Sequence, residues 1–170
     1  YVLRTPCHDH LSYYGIMFDL SAKLRDVTVT GIAMAATTPK QGPYLYTVYA
    51  AHEPCDTIKE REACWVKVGE GRVTLPCKIG QYGTLPLQTP IAIRRGTTVG
   101  VYVHSPECAE GVAYRNALLT GPEGVTDEDD NLQIKTAFAS FALTPFEDVQ
   151  DSPRAISGIV RYKVAADSDL

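Results

Sequence analysis

The chain has 170 residues, of which 45% are hydrophobic and 21% charged, a composition typical of one globular domain and unlike that of a disordered segment. The net charge of −4 and the scattered basic residues argue against binding to the phosphate backbone of DNA or RNA. No apolar run approaches the roughly 20 residues that a membrane-spanning helix needs, so we expect neither a nucleic-acid partner nor a membrane span.

Short β-rich runs, bounded by Gly, Pro or charged turn residues, recur along the whole chain. They predict about ten strands, at residues 13–20, 26–34, 44–50, 64–68, 72–75, 91–93, 98–104, 112–116, 132–143 and 155–164. The only helix-friendly stretch is residues 57–63, which is too short for the crossover helices that a parallel sheet requires. We therefore predict an all-β fold, an antiparallel β-sandwich of the jelly-roll kind. Residues 1–12 are expected to form an extended N-terminal segment, residues 13–164 a single sandwich domain, and residues 165–170 a tail.

Alternation of apolar and polar residues assigns side chains to the two faces of the predicted strands. In the run 26–34, Val27, Val29 and Gly31 are expected on one face and Ile32 on the opposite face. The core is expected to include four aromatic residues, Phe18, Tyr46, Trp65 and Phe138.

The five cysteines contain one pair with a suggestive spacing. Cys55 and Cys64 flank a short polar loop, so a disulfide between them would contribute about 2.5–3 kcal/mol by loop entropy. The odd count of cysteines and the absence of an Asn-x-Ser/Thr sequon favour a reducing, cytoplasmic compartment over an extracellular one.

A succession of motifs covers most of the chain from about Tyr13 to Val164. Its members are residues 15–23 (GIMFDLSAK), 26–30 (DVTVT), 46–49 (YTVY), Trp65, 85–87 (LPL), 90–93 (PIAI), Gly96, 101–103 (VYV), 131–134 (NLQI) and 158–162 (GIVRY). This order and spacing resembles the PHR-type β-sandwich of Pam/Highwire ubiquitin ligases and some BTB-domain adaptors, and is closest to the loose PHR-like branch of microbial and algal proteins. The longer 55–64 loop and the acidic 127–130 run depart from that pattern. The resemblance implies an antiparallel sandwich that recognises a partner through its loops or edges and does not catalyse a reaction.

Two clusters offer metal-ligating side chains. In the run Cys-His-Asp-His at residues 7–10, His8 and His10 would share one side of an extended segment and offer imidazole ligands to zinc. Asp127, Asp129 and Asp130 offer carboxylate oxygens of the kind that Ca²⁺ prefers. Acidic runs and chain ends are also commonly solvated turns and frayed segments, so a cofactor-free protein is the leading expectation and Ca²⁺ the alternative.

Catalysis by a nucleophile has little support. Ser105 follows His104 directly, and adjacent residues of a strand point to opposite faces. No GxSxG elbow is present. We expect a non-enzymatic protein.

Four residues are candidates for binding. Tyr44 and Tyr82 stand beside turn residues, where an aromatic ring is more exposed and can serve as a protein-binding anchor. Arg94 and Arg95 form the only adjacent basic pair and precede Gly96 in a predicted hairpin turn. The leading hypothesis is a module that recognises another protein or a further subunit of its own assembly. The alternatives are an extracellular Ca²⁺-dependent carbohydrate-binding jelly roll and a small metalloenzyme using the N-terminal histidine pair.

Overall fold

The computed structural model describes residues 1–40, 42–117 and 120–166, and it confirms the predicted all-β antiparallel sandwich. The described residues form fifteen strands: β1 (Val2–Arg4), β2 (Leu11–Tyr13), β3 (Gly15–Ala22), β4 (Val27–Met34), β5 (Tyr44–Ala51), β6 (Val66–Val73), β7 (Gly83–Thr84), β8 (Ile91–Ile93), β9 (Thr98–His104), β10 (Val112–Asn116), β11 (Val125–Glu128), β12 (Leu132–Lys135), β13 (Phe138–Ser140), β14 (Arg154–Ile156) and β15 (Gly158–Val164). The number exceeds the expected ten because there are additional short strands such as β1, β7 and β11, and because the runs 132–143 and 155–164 are each divided into two strands. The strands predicted at 64–68 and 72–75 are instead one continuous strand, β6, so the separation between them was wrong.

Three antiparallel sheets make up the sandwich. The largest has seven strands in the order β11-β12-β3-β9-β5-β6, with β13 also pairing with β3. The second has five strands in the order β1-β15-β4-β7, with β8 pairing with β4 beside β7. The third has the order β14-β10-β2. The main core contains side chains from all three sheets, so the apolar faces of the sheets pack against one another.

The central strand β3 is buried along its whole length. Ile16, Phe18 and Leu20 point into the main core, whereas Met17 joins a second apolar cluster on the outer face of the seven-stranded sheet. This alternation is the period-two geometry of a strand. It shows that the large sheet is covered on both faces.

The outer face is covered by two segments. One contains the short helix α1 (Cys55–Ile58) and the 3-10 turn Glu62–Cys64. The other is residues 141–153, which we name the strap. Its Phe146 is 4% exposed and packs edge-to-face on Tyr49 and Tyr102, with both ring-centroid distances at 4.9 Å. Backbone bonds hold the strap on either side of this ring, from Phe141 N–H to Asp148 O at 3.1 Å and from Gln150 N–H to Ala139 O at 2.9 Å.

The aromatic residues expected in one core are divided between the two clusters. Phe18 and Tyr46 lie in the main core. Trp65 is buried in the outer cluster, and Phe138 is half-buried against it. Phe18, Tyr46 and Trp65 are therefore buried as predicted, and Phe138 is half-buried. The outer cluster exists because α1 and the strap fold back over the large sheet.

One predicted face assignment is wrong. Val27 and Val29 point into the main core as expected, but Ile32 lies there with them. The pairing with β15 shifts its register at this point, where Arg161 pairs with Gly31 and Tyr162 with Val29. The extra residue Thr30 forms a β-bulge, which turns the following residues of β4 by one position.

Two parts of the N-terminal residues 1–12 belong to the sheets, and residues 5–10 between them form no strand. Strand β1 pairs with β15, and β2 pairs with β10. Of the predicted tail, residues 165 and 166 follow β15 without regular structure, and residues 167–170 lie outside the described residues. Among the residues that the structure describes, no helix has the length and apolar character that crossing a membrane requires.

Candidate functional site

A cleft opens on one side of the sandwich, between β6 of the seven-stranded sheet and β8 of the five-stranded sheet. We name it the edge cleft. It consists of a mouth of about 470 Å³ and an adjoining groove of about 290 Å³. His52 and Ala92 line both parts, so the two cavities lie side by side.

The groove is lined mainly by apolar side chains. Its walls include Cys64, Val66, Val68 and Val99 from the side of the seven-stranded sheet, and Pro90 and Ile91 from the side of β8. Val66 is 66% exposed although it belongs to a strand. A large aliphatic side chain beside an apolar groove is the kind of exposed surface that partners cover.

The groove is open because the chain closes only part of the β6 edge. Residues 86–89 cross β6 so closely that a Cβ on Gly69 would lie 1.9 Å from Pro86 O. The N–H groups of Gln88 and Thr89 both donate to Val68 O, at 3.0 and 2.9 Å. Val66 lies beyond this crossing, and the groove begins there.

The mouth carries positive charge on a well-held turn. Thr97 donates to Arg94 O through both its N–H group, at 3.0 Å, and its hydroxyl, at 2.8 Å. Gly96 adopts a φ of +72°, the left-handed conformation that glycine accepts without strain. In the described part of the chain, no hydrogen bond or ion pair occupies the Arg94 guanidinium. The side chains of Thr97 and Thr98 line the mouth beside it.

The four predicted binding residues do not form one surface. Arg94 lines the mouth of the edge cleft. Arg95 is exposed on the same turn, and its backbone N–H donates to Asp26 Oδ1 at 2.7 Å. Tyr44 lines a separate cavity of about 470 Å³ beside Glu107.

Tyr82 is half-buried rather than prominently exposed. Its hydroxyl donates to Pro6 O at 2.9 Å, and the guanidinium of Arg4 lies 5.6 Å from its ring centroid. Burial raises the pKa of Tyr82 above its ordinary value. In the structure, this ring anchors the N-terminal segment.

The predicted calcium ligands already have protein partners. Asp127 accepts a hydrogen bond from the Arg115 guanidinium at 2.7 Å. Asp129 Oδ1 accepts from the N–H groups of Asn131 and Leu132, both at 2.9 Å, and its Oδ2 accepts from the Tyr162 hydroxyl at 2.5 Å. Asp130 is exposed. These contacts make the acidic run a hydrogen-bonded turn between β11 and β12.

The predicted zinc ligands His8 and His10 differ in environment. His8 is 3% exposed and packs against the Tyr82 ring, while His10 is exposed. Burial lowers the pKa of His8. Across the described ranges, no three His, Cys, Asp or Glu side chains are grouped to hold a metal ion.

The predicted disulfide between Cys55 and Cys64 is not formed, and both residues are free thiols. The Cys55 thiol donates to Phe18 O at 3.3 Å, and its backbone N–H donates to Asp19 Oδ1 at 2.9 Å. Burial raises the pKa of Cys55 well above its usual value. The side chain of Cys55 points into the outer face of the large sheet, whereas Cys64 lines the groove.

His104 and Ser105 have separate environments. His104 Nε2 lies 3.0 Å from Ala142 O, and burial lowers the pKa of its imidazole. The hydroxyl of Ser105 is buried and has no hydrogen-bond partner among the described residues. The two side chains therefore lack the hydrogen bond that joins a nucleophile to its base.

Sequence reasoning did not identify several cleft residues, above all Val66 and His52. Cys64, Val66 and Val68 occupy alternate positions, a spacing that assigns them to one side of the chain. The spacing does not show that this side of β6 stays open to solvent, because that depends on how residues 86–89 cross β6. No protein-family model matches the chain, and no curated protein sequence matches it.

Proposed function

We propose that this domain recognises a protein partner through the edge cleft and does not catalyse a reaction. The observation that carries the proposal is an open apolar groove, with Val66 exposed at its rim, beside the Arg94 guanidinium, which has no partner among the described residues. Protein-binding surfaces commonly combine a desolvated apolar centre with arginine and a polar rim. The resemblance to PHR-type domains, which are thought to recognise partners, supports the same function.

The alternatives have weaker support. A calcium-dependent carbohydrate site would need Asp127 and Asp129 to release Arg115 and Tyr162. A zinc enzyme using His8 would need this buried ring to turn towards solvent. Each change costs existing contacts, whereas the edge cleft needs no rearrangement to accept a partner.

Site-specific photo-crosslinking tests the proposed function. The domain is prepared with a benzophenone amino acid in place of Val66 and irradiated in an extract of the source cells. It is expected to form a discrete covalent adduct with one protein. Ile79 is a matched control, because it is 55% exposed against 66% for Val66 but lies outside the cleft. A second substitution, Ala92→Arg, should fill the junction of the mouth and groove and abolish the Val66 adduct. Equal adducts at Val66 and Ile79, or an adduct that survives Ala92→Arg, would contradict the proposal.

A further inference from the structure

The backbone of β8 offers an edge for strand addition. Ile91 and Ile93 pair with Val29 and Val27 of β4, and within the described ranges no strand pairs with the other side of β8. The edge of a strand presents unpaired N–H and C=O groups, to which an extended peptide can bind. This edge runs along the cleft, because Ile91 and Ala92 also line the groove.

The groove has the size of an anchor pocket. Its volume of about 290 Å³ lies just below the range of whole small-molecule sites, which begins at about 300 Å³, so it suits a single side chain. Its walls offer aliphatic contacts from Val66, Val68 and Val99. An aliphatic side chain of a bound strand suits these contacts.

The side chains that line the mouth favour a negatively charged ligand. Arg94 lines it together with His52 and the threonines of the turn, and no described Asp or Glu lines either the mouth or the groove. A planar guanidinium without an ion-pair partner is suited to bind a carboxylate through two hydrogen bonds. The mouth and the groove share Ala92, so the carboxylate and the aliphatic anchor belong to neighbouring positions of one chain.

Building on the proposed function, we propose that the occupant of the edge cleft is an extended acidic peptide segment of a partner protein. The segment adds as a strand to β8, places an aliphatic side chain in the groove, and binds Arg94 through an Asp or Glu carboxylate. Charge complementarity at the mouth and the open β8 edge together favour this occupant.

A random dodecapeptide library displayed on phage is the probe. Selection on the wild-type domain is expected to enrich sequences with Asp or Glu near an aliphatic residue. Synthetic peptides from the enriched set are then titrated against Arg94→Ala and Arg95→Ala, two variants of one turn with the same change in net charge. A charge-assisted hydrogen bond contributes about 1.5–3 kcal/mol, so the affinity should fall about 10- to 100-fold for Arg94→Ala and less than about 2-fold for Arg95→Ala.

Two further measurements separate the parts of the proposal. The Arg94→Glu variant should no longer bind the acidic peptide. It should bind a version of the same peptide in which Lys replaces the acidic residue. Amide exchange in β8 should slow when the peptide binds, since the added strand would use its free backbone groups.

The failures are distinguishable. Enriched peptides that need Val66 but neither an acid nor Arg94 would overturn the acidic occupant and leave the binding function of the cleft in place. Peptides unaffected by Val66→Arg would overturn both proposals. No enrichment would overturn the peptide occupant, while the crosslink at Val66 would still decide the function of the cleft.

Discussion

Replacing Phe146 with Ala is expected to release the strap from the large sheet while leaving the sandwich folded. The ring is almost fully buried and contacts Tyr49, Tyr102 and Trp65. Truncating a buried Phe to Ala typically costs about 3–5 kcal/mol. Since every 1.4 kcal/mol is a factor of ten, the equilibrium constant for opening of the strap should rise about 100- to 4,000-fold.

Hydrogen exchange measures this opening directly, because exchange of a protected amide follows the free energy of local opening. The reporters are the amides of Phe141 and Gln150, which donate to Asp148 O and Ala139 O on either side of the Phe146 ring. Both should exchange faster in Phe146→Ala by up to the stated factor, whereas the amides of β3 should change far less. The control is Leu143→Ala in the same strap. Leu143 is 58% exposed, and a surface substitution usually changes stability by less than about 0.5 kcal/mol.

Two results would refute this reasoning. Wild-type exchange rates at Phe141 and Gln150 in Phe146→Ala would show that the ring does not hold the strap. Equal acceleration in β3 and in the strap would show that the ring supports the whole sandwich, so that the strap is not a separate unit of opening.

Three other perturbations have defined outcomes. Burial raises the pKa of Asp19, so its stabilising contribution is full below the unfolded pKa of about 3.9 and is lost as pH rises through the higher folded value. Urea unfolding at several pH values should therefore show wild type gaining stability relative to Asp19→Asn on acidification, and parallel curves would contradict this. Gly69→Ala should lower the melting temperature, because its Cβ would meet Pro86 O, and overpacking costs about 1–3 kcal/mol. Gly31→Ala, whose Cβ would have its nearest neighbour at an ordinary 3.6 Å, should lower it less. Ca²⁺ or Zn²⁺ should leave the melting temperature unchanged, because Asp127 and Asp129 are engaged and His8 is buried. A ligand at 100 times its Kd would add about 2.7 kcal/mol, so a clear rise with either ion would restore the corresponding metal site.

The sequence predicted the fold class because alternation and turn residues are local signals. It failed at Ile32 for a physical reason, since a single β-bulge at Thr30 reverses every later face assignment in the strand. It predicted the burial of Trp65 but not its place in the outer cluster, because that cluster depends on segments that return from elsewhere in the chain.

The candidate site was only partly predictable. Arg94, which lines the mouth of the cleft, was a candidate because adjacent arginines in a turn stand out in the sequence. Val66 was not found, because an aliphatic residue in a strand ordinarily indicates burial. Tyr82 was assigned to binding from its neighbouring turn residues, but a long-range contact with Pro6 decides its environment.

The crossing of residues 86–89 over β6 also affects how large an assembly can grow from this side of the molecule. A long free edge can recruit one strand after another and so seed open-ended fibres. Here the chain uses its own Gln88 and Thr89 to occupy Val68 O, so that beside the cleft the described residues leave only short accessible edges, the three-residue β8 and the end of β6 at Val66. An added strand on so short a template has little length on which a further strand could align. Complexes formed at this edge should therefore have a fixed stoichiometry of one segment per domain.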